Sequence, residues 1–166
     1  MNEEGYRTGV LTVSDRGSQG LREDLSGDKA REILVRAGFT VAWADVVPDR
    51  VEEIKAVLLR WTDREGAALV VTTGGTGLSP SDVTPQATQE VLDYEIPGIP
   101  EAMRAEGLRK TPFAMLSRAC AGVRGKCLII NLPGSPKAVE EGLGAVLPAL
   151  HHALSKLSGD TSECAR

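Results

Sequence analysis

The sequence predicts a three-layer α/β/α domain built on a mostly parallel central sheet. Short apolar runs alternate with amphipathic stretches along the chain, which is typical of repeated strand–helix units. The runs 67–73 and 127–132 are apolar almost throughout, as are strands that helices cover on both faces. A length of 166 residues suits one such domain. We therefore expect one domain over residues 1–157 and a flexible tail over residues 158–166.

The order of strands and helices follows from apolar periodicity and from the positions of glycine and proline. Strands are expected at Gly9–Ser14, Thr40–Val47, Ala67–Thr73 and Cys127–Leu132. Helices are expected at Ser26–Ala37, Asp49–Arg64, Thr84–Tyr94, Gly98–Leu108 and from Ser135 to residue 157. Ser26, Thr84 and Ser135 are suited to cap three of these helices. Pro148 lies inside the last helix and should kink or split it.

Composition and charge argue against several classes of protein. The chain has 19 basic and 23 acidic side chains, and its net charge of -4 argues against a general nucleic-acid binder. No apolar run approaches the ~20 residues that a membrane-spanning helix needs. Cys120, Cys127 and Cys164 lack CxxC spacing, so they indicate neither a disulfide framework nor a zinc site. Plain thiols of this kind suit the reducing cytoplasm.

Polar or glycine-rich loops follow four of the predicted strands. In chain order they are residues 14–17, 48–49, 72–77 and 131–137. Ligands of open parallel sheets bind at the carboxyl ends of the strands, where such loops collect. We therefore expect these four loops to form one site.

The loop after the third strand reads TTGGTG. Three glycines within four residues leave backbone N–H groups uncovered, and such groups can form a cradle for phosphate oxygens. Thr72, Thr73 and Thr76 add hydroxyl groups. The loop is neither a Walker A motif nor the dinucleotide G-x-G-x-x-G. From spacing alone, a tight turn without a ligand remains the alternative.

The loop LPGSPK ends where Ser135 can cap the last helix. A helix N-terminus offers free N–H donors and a positive dipole end to an anion, and Lys137 adds a full charge. The alternative is a well-formed helix start with no ligand. Two anion sites on one edge of the sheet would suit a ligand with phosphates at both ends.

Two carboxylates stand beside these loops. Asp82 follows the glycine loop, and Asp49 begins a helix with the spacing of a capping box, so a purely structural role for Asp49 stays open. Together they could hold Mg²⁺, directly or through water, and offset charge during phosphoryl-group chemistry. No G-x-S-x-G elbow is present, and His151 and His152 lie on the last helix as surface residues. These features favour chemistry by positioning and electrostatics.

Six motifs in one order then resemble a known family. They are VSDRGSQG, the VPD at 47–49, VTTGGTGLSPSDVTP, IPGIPEAMR, MLSRACAG and LIINLPGSPKAV. Residues 8 to about 157 resemble the molybdopterin-binding domain of molybdenum-cofactor biosynthesis, and specifically the stand-alone molybdopterin adenylyltransferases. The resemblance implies the molybdopterin-binding-domain fold, commonly assembled as a homotrimer. It also implies a downstream enzyme that inserts the metal, and the sequence does not distinguish molybdenum from tungsten.

The resemblance implies a reaction and a set of site residues. AMP would pass from Mg-ATP to the terminal phosphate of molybdopterin, with release of pyrophosphate. Asp49 and Asp82 match the two acidic positions implicated in catalysis and in holding Mg²⁺. The nucleotide-phosphate cradle and the substrate pocket would include Ser14, Asp15, Arg16, Thr73, Gly74, Gly75, Thr76, Gly77, Ser117, Arg118, Pro133, Gly134, Ser135 and Lys137.

Two positions depart from the family pattern. Ser81 stands where the family often has arginine, and Gln86 stands where it often has glutamate. Because Ser81 is uncharged, this chain lacks the positive charge that an arginine would place near the expected phosphates. A branch that binds the pterin without adenylylating it, as a carrier or complex component, is the alternative function. The retained Asp49 and Asp82 favour the enzyme.

Overall fold

In the computed structural model, which describes residues 5–163, six strands form one sheet. The strands are β1 (Arg7–Val13), β2 (Thr40–Val47), β3 (Leu69–Thr73), β4 (Tyr94–Glu95), β5 (Ala121–Arg124) and β6 (Cys127–Leu132). Their order across the sheet is β2-β1-β3-β6-β5-β4. The pairs β1–β2, β1–β3 and β3–β6 are parallel, whereas β5 runs antiparallel to both β6 and β4. The expected mostly parallel sheet is confirmed.

Helices occupy both faces of the sheet. They are α1 (Asp15–Ser18), α2 (Leu25–Arg36), α3 (Val51–Leu59), α4 (Thr84–Val91), α5 (Gly98–Leu108) and α6 (Pro136–Ser158). A π-helical turn, Arg60–Arg64, continues α3, and a 3₁₀ helix, Pro112–Leu116, follows α5. None of the helices within residues 5–163 combines the length and the apolarity that crossing a bilayer requires.

The central strands send alternate side chains into two separate cores. Val10 and Val71 belong to a core that α2, α5 and α6 cover, and Leu11 and Val70 belong to a core that α3 and α4 cover. This alternation follows from the two-residue period of a strand, and it explains the nearly continuous apolar runs. Position 9 of β1 requires glycine, because a Cβ there would lie 2.4 Å from the Trp61 ring.

Two of the three expected caps are wrong in detail. Asp24 caps α2 in place of Ser26, and its Oδ1 accepts a hydrogen bond from the N–H of Gly27. Arg50 and Val83 occupy the N-cap positions of α3 and α4, without a side-chain cap bond. Thr84 instead donates its hydroxyl to the carbonyl of Gly74. Asp49, for which a capping role had stayed open, accepts a hydrogen bond from the N–H of Asp15. Ser135 is the cap of α6, as expected, and accepts a hydrogen bond from the N–H of Ala138.

Pro148 was expected to kink or split the last helix, and it does not split it. Pro148 lies within one helix that runs to Ser158. The missing N–H and the ring clash of an internal proline cost about 3 kcal/mol. Leu143 and Leu150 are fully buried on either side of Pro148, so packing of both halves on one core offsets that cost. Gly159, in the left-handed region at φ 106°, ends the helix.

The described residues after α6, and His151 on that helix, lie away from the carboxyl edge of the parallel strands. Asp160 bonds back to α6 through the hydroxyl of Ser155, while residues 164–166, including Cys164, lie outside the described residues. The boundary of the tail therefore stays a prediction. His151 is exposed, as expected, and its Nε2 lies 3.0 Å from the carbonyl oxygen of Ala37.

Candidate active site

The loops after β3 and β6 pack directly against each other at the carboxyl edge of the sheet. The N–H of Gly74 donates to the carbonyl of Leu132 at 3.1 Å. A Cβ on Gly134 would lie 3.3 Å from the Cα of Gly74, so the two glycines let the two backbones approach closely. The parallel register of β3 and β6 therefore brings both predicted anion loops together.

The glycine loop has a backbone that only glycine adopts easily. Gly74 and Gly75 have φ of 89° and 69°, in the left-handed region. A Cβ on Gly74 would lie 2.5 Å from the carbonyl oxygen of Val13, and one on Gly75 would lie 2.3 Å from the Oγ1 of Thr84. Thr84 fixes the loop by donating its hydroxyl to the carbonyl of Gly74 at 2.9 Å. Both positions therefore require glycine, because the backbone is left-handed and a Cβ would collide with a neighbouring atom.

Three consecutive N–H groups in this loop are available to a ligand. The backbone N–H groups of Gly75, Thr76 and Gly77 donate to no acceptor within residues 5–163. Unpaired backbone donors in a left-handed turn form a concavity that suits phosphate oxygens. The phosphate cradle expected from TTGGTG therefore has its donors in place.

Asp49 is held across the ends of β1 and β2 by Asp15. The N–H of Asp15 donates to Oδ2 of Asp49 at 2.9 Å, and the N–H of Asp49 donates to Oδ1 of Asp15 at 2.9 Å. The other oxygen of Asp49, Oδ1, lies 3.2 Å from the position that a Cβ on Gly75 would occupy. Asp49 therefore points one carboxylate oxygen at the glycine loop.

Asp82 approaches the same loop from its other side. Its Oδ2 accepts a hydrogen bond from the N–H of Ser79 at 3.0 Å and lies 2.9 Å from where a Cβ on Gly77 would be. Within the described part of the chain, Oδ1 of Asp82 and Oδ1 of Asp49 accept no hydrogen bond. Each acid thus has one oxygen fixed by a backbone N–H and one oxygen left for a ligand.

Burial, together with neighbouring negative charge, raises the pKa of Asp49 above its ordinary value. Burial is the largest cause, and the negative charges of Asp15 and Asp82 act in the same direction, whereas the hydrogen bond from Asp15 opposes them. A carboxylate pKa that is raised by burial and by like charges indicates a place where a cation would be favourable.

Two cavities meet at this loop. A polar cavity of about 250 Å³ is lined by Ser14, Asp24, Ser26, Asp49 and Thr73. An apolar cavity of about 470 Å³ is lined by Pro100, Met103, Phe113, Leu116, Pro133 and Ala138. Both cavities include Gly75, Asp82 and Gly134 in their walls, so these three residues form the junction between them.

Arg118 braces the glycine loop from outside the two cavities. Its guanidinium donates to the carbonyls of Gly77 and Asp82 at 2.8 and 2.6 Å and to the side-chain oxygen of Gln86 at 3.2 Å. Gln86, one of the two departures from the family pattern, therefore supplies a neutral partner to Arg118. The other departure, Ser81, is exposed and bonds to the hydroxyl of Ser79.

Of the remaining predicted site residues, some line the two cavities and others do not. Thr73, Thr76, Ser117, Pro133 and Gly134 line one cavity or the other, and so does Ser14. Ser135 caps the helix beside them. Arg16 is exposed and lines neither cavity. Lys137 lines a neighbouring groove with Glu106 and Glu140, and this groove meets the apolar cavity at Glu141. The structure therefore does not bring the charge of Lys137 to the phosphate cradle.

Sequence reasoning missed several cavity residues that lie on helices or are fixed by distant partners. In the polar cavity, Asp24 accepts a hydrogen bond from Thr12 at 2.8 Å, and Ser26 bonds with Thr73 at 3.1 Å. In the apolar cavity the missed residues include Arg104, Phe113 and Glu141. The quoted motif IPGIPEAMR contained Arg104, and it was the only sequence signal for this group.

Comparison with known proteins identifies the family. The family model described as "Probable molybdopterin binding domain" matches residues 9–152. The chain belongs to the molybdopterin-binding-domain family. A molybdopterin adenylyltransferase of Helicobacter pylori is 43% identical over 154 residues, covering 92% of this chain and 88% of that protein.

Solved structures of the molybdopterin-binding-domain family share the fold. The molybdopterin biosynthesis enzyme MoaB of Thermus thermophilus is 56% identical, with a TM-score of 0.89 over 93% of this chain and 98% of that one. MoaB of Pyrococcus furiosus, described as a tungsten cofactor synthesizing protein, is 34% identical, with a TM-score of 0.84 over 92% of this chain and 97% of that one. Within a molybdopterin-binding domain, the two adjoining cavities are the candidate substrate site.

Proposed function

We propose that this protein transfers AMP from Mg-ATP to the terminal phosphate of molybdopterin and releases pyrophosphate. One observation carries the proposal: a large apolar cavity and a smaller polar cavity meet at Asp82 and at a glycine loop with three unpaired N–H donors. Relatives named molybdopterin adenylyltransferase are 40 to 43% identical to this chain over most of its length.

The chemical character of each cavity assigns the two substrates. The ring system of a pterin is flat and largely apolar on its faces, which suits the cavity between Met103 and Phe113. The triphosphate of ATP suits the polar cavity beside Asp49, with the N–H groups of the glycine loop as donors. The terminal phosphate of the pterin and the α-phosphate of ATP then meet at the junction.

The reaction needs positioning and charge compensation rather than a covalent enzyme intermediate. An oxygen of the pterin phosphate attacks the α-phosphorus, the bond from that phosphorus to the bridging oxygen breaks, and pyrophosphate leaves with that electron pair. The N–H groups of Gly75, Thr76 and Gly77 would donate to the phosphate oxygens at this point. The thiols of Cys120 and Cys127 take no part, because burial raises their pKa to about 12.

The residues present fit Mg²⁺. Asp49 and Asp82 each leave one oxygen without a hydrogen bond, and burial together with neighbouring negative charge raises the pKa of Asp49. Residues 5–163 contain no cluster of three or more His, Cys, Asp and Glu side chains suited to a metal. Mg²⁺ is usually bound by one or two carboxylates together with substrate phosphates, and Asp49 and Asp82 supply two. When bound, Mg²⁺ would offset charge on the departing pyrophosphate.

The remaining parts of the proposal follow from the family resemblance and the substrates. We propose a homotrimer, which the mass of the purified protein in solution tests directly. We place the reaction in the cytoplasm, where ATP is available. We expect a downstream metal-insertion enzyme to consume the adenylylated pterin.

Transfer of a label from ATP to the pterin tests the proposed function. The purified protein is incubated with Mg²⁺, molybdopterin and ATP labelled at the α-phosphate, and the pterin product is examined by mass spectrometry. We expect a labelled product heavier than molybdopterin by one adenylyl group. Pterin binding without any transfer would contradict the proposal and support the carrier alternative.

A further inference from the structure

Glu141 is a carboxylate in the wall of the otherwise mostly apolar cavity. It lies on α6 beside the buried Gly142, and its side chain is only 19% exposed. Its nearest cation is Lys110, whose Nζ lies 3.9 Å from Oε1. Within the described residues, Glu141 accepts no hydrogen bond from any side chain.

A carboxylate in this position calls for hydrogen-bond donors. An ion pair at 3.9 Å is longer than a hydrogen bond, so the carboxylate oxygens of Glu141 keep most of their hydrogen-bonding capacity for a ligand. Asp82, the other carboxylate of the cavity wall, is already held by the N–H of Ser79 at the junction. Glu141 is therefore the carboxylate available to a ligand that fills the body of the cavity.

The position of Glu141 along α6 separates it from the phosphate junction. Ser135 caps this helix next to Gly134, and Glu141 follows about 9 Å further along the helix axis. In molybdopterin the terminal phosphate and the pyrimidine edge of the pterin lie at opposite ends of the molecule. A pterin with its phosphate at the junction would thus extend its pyrimidine edge towards Glu141.

The pyrimidine edge of a pterin matches a carboxylate. The 2-amino group and the N3–H are two neighbouring donors that point in parallel, in the same arrangement as the donors of a guanidinium group. A carboxylate accepts two such hydrogen bonds side by side, one on each oxygen. A ring with a carbonyl at position 2 would place an acceptor against the carboxylate and would be disfavoured.

We propose that Glu141 is the specificity-determining residue of the pterin site and accepts hydrogen bonds from the 2-amino group and N3–H. The inference rests on the proposed function, because it names the part of the substrate that the apolar cavity recognises. Glu141 would act on substrate binding and on its selectivity, while the chemical step would occur at the junction.

Steady-state kinetics of Glu141→Gln provide the first test. We expect the KM for molybdopterin to rise by about 10- to 100-fold with little change in kcat, because the amide keeps the shape but loses one acceptor and the charge. Glu140→Gln is the matched control, since Glu140 is exposed and, unlike Glu141, is not in the wall of the apolar cavity. An unchanged KM in Glu141→Gln would overturn the proposal.

Binding of pterin and lumazine provides the second test and does not depend on turnover. Lumazine carries a carbonyl in place of the 2-amino group. We expect the wild-type protein to prefer pterin, and Glu141→Gln to lose or reverse that preference, since its amide donates to the new carbonyl. Lys110→Met should keep the preference, which separates ligand recognition from the ion pair. Equal preference in Glu141→Gln and wild type would overturn the proposal even if adenylyl transfer failed.

Discussion

Asp15 and Asp49 hold each other by two reciprocal hydrogen bonds, each 2.9 Å long, from the backbone N–H of one residue to the carboxylate of the other. The pair joins the loop after β1 to the loop after β2. It fixes one oxygen of Asp49 and leaves the second facing the glycine loop. This arrangement brings two negative charges close together and therefore favours a bound cation. Without the cation, the repulsion between the two charges lowers the stability of the folded protein.

The first prediction concerns stability of the unliganded protein. The pKa of Asp49 is raised in the folded state, chiefly by burial, so its ionised form is disfavoured on folding. This destabilisation is absent below the ordinary pKa of aspartate and develops as pH rises through the raised folded value. We expect Asp49→Asn to have a higher Tm than wild type at pH 7 without Mg²⁺, and the difference should vanish at pH 3.

Thermal denaturation at several pH values checks this prediction. Asp45→Asn, at an exposed position on β2, is the control for loss of one negative charge. A lower Tm for Asp49→Asn than for wild type at pH 7 would show that the hydrogen bonds of Asp49 outweigh its charge repulsion.

The second prediction separates conformation from close packing in the glycine loop. Gly75 and Gly125 both have positive φ, at 69° and 57°, but only Gly75 has atoms in the space of a Cβ. Gly125→Ala should cost about 1 kcal/mol of unfolding free energy from backbone strain. Gly75→Ala should cost about 3 kcal/mol or more, because Thr84 and Asp49 must also move. Denaturant unfolding measures both values, and equal costs would refute the role of close packing.

The third prediction concerns the buried amide of Asn131. Its Nδ2 donates to the hydroxyls of Thr72 and Thr88 at 3.0 and 2.9 Å, and its Oδ1 accepts from the N–H of Cys120 at 3.2 Å. Asn131→Ala should lower the unfolding free energy by about 2–4 kcal/mol, since several buried groups lose their partner. Gln89→Ala removes an exposed amide from the adjacent α4 and should change the unfolding free energy by less than about 0.5 kcal/mol. A similar small effect at Asn131 would contradict this account of the core.

The fourth prediction concerns the brace that Arg118 provides. Its three hydrogen bonds need the planar guanidinium fork, which a lysine side chain lacks. In Arg118→Lys we expect faster backbone hydrogen exchange over residues 76–82 and a fall in kcat of about 10-fold. Arg109→Lys, at the exposed arginine that follows the last residue of α5, is the control. Unchanged exchange over this segment would show that the brace is dispensable.

The parallel core was predictable from sequence because it depends on local patterns. Continuous apolar runs marked β3 and β6, and the loops after them were expected to share one edge. The antiparallel strands β4 and β5 were not predicted. Tyr94–Glu95 is too short to show an alternating pattern, and Ala121–Arg124 contains a glycine and an arginine that a strand forecast does not favour.

The roles of individual site residues were less predictable because distant partners decide them. Asp49 has the local spacing of a helix cap, yet its carboxylate is engaged by Asp15, which lies 34 residues earlier in the chain. Lys137 follows the helix cap but faces a different groove. Glu141 has the pattern of a solvated helical face, and only the packing of α5 against α6 places it in a cavity.

Pyrophosphate release is the measurement that tests the central claim most directly. The purified protein is supplied with ATP and Mg²⁺, with and without molybdopterin, alongside Asp82→Asn. The account predicts release that requires molybdopterin and falls by about 10²- to 10³-fold in Asp82→Asn, with pterin binding retained. Undiminished release in Asp82→Asn, or no release from wild-type protein that binds molybdopterin, would contradict it.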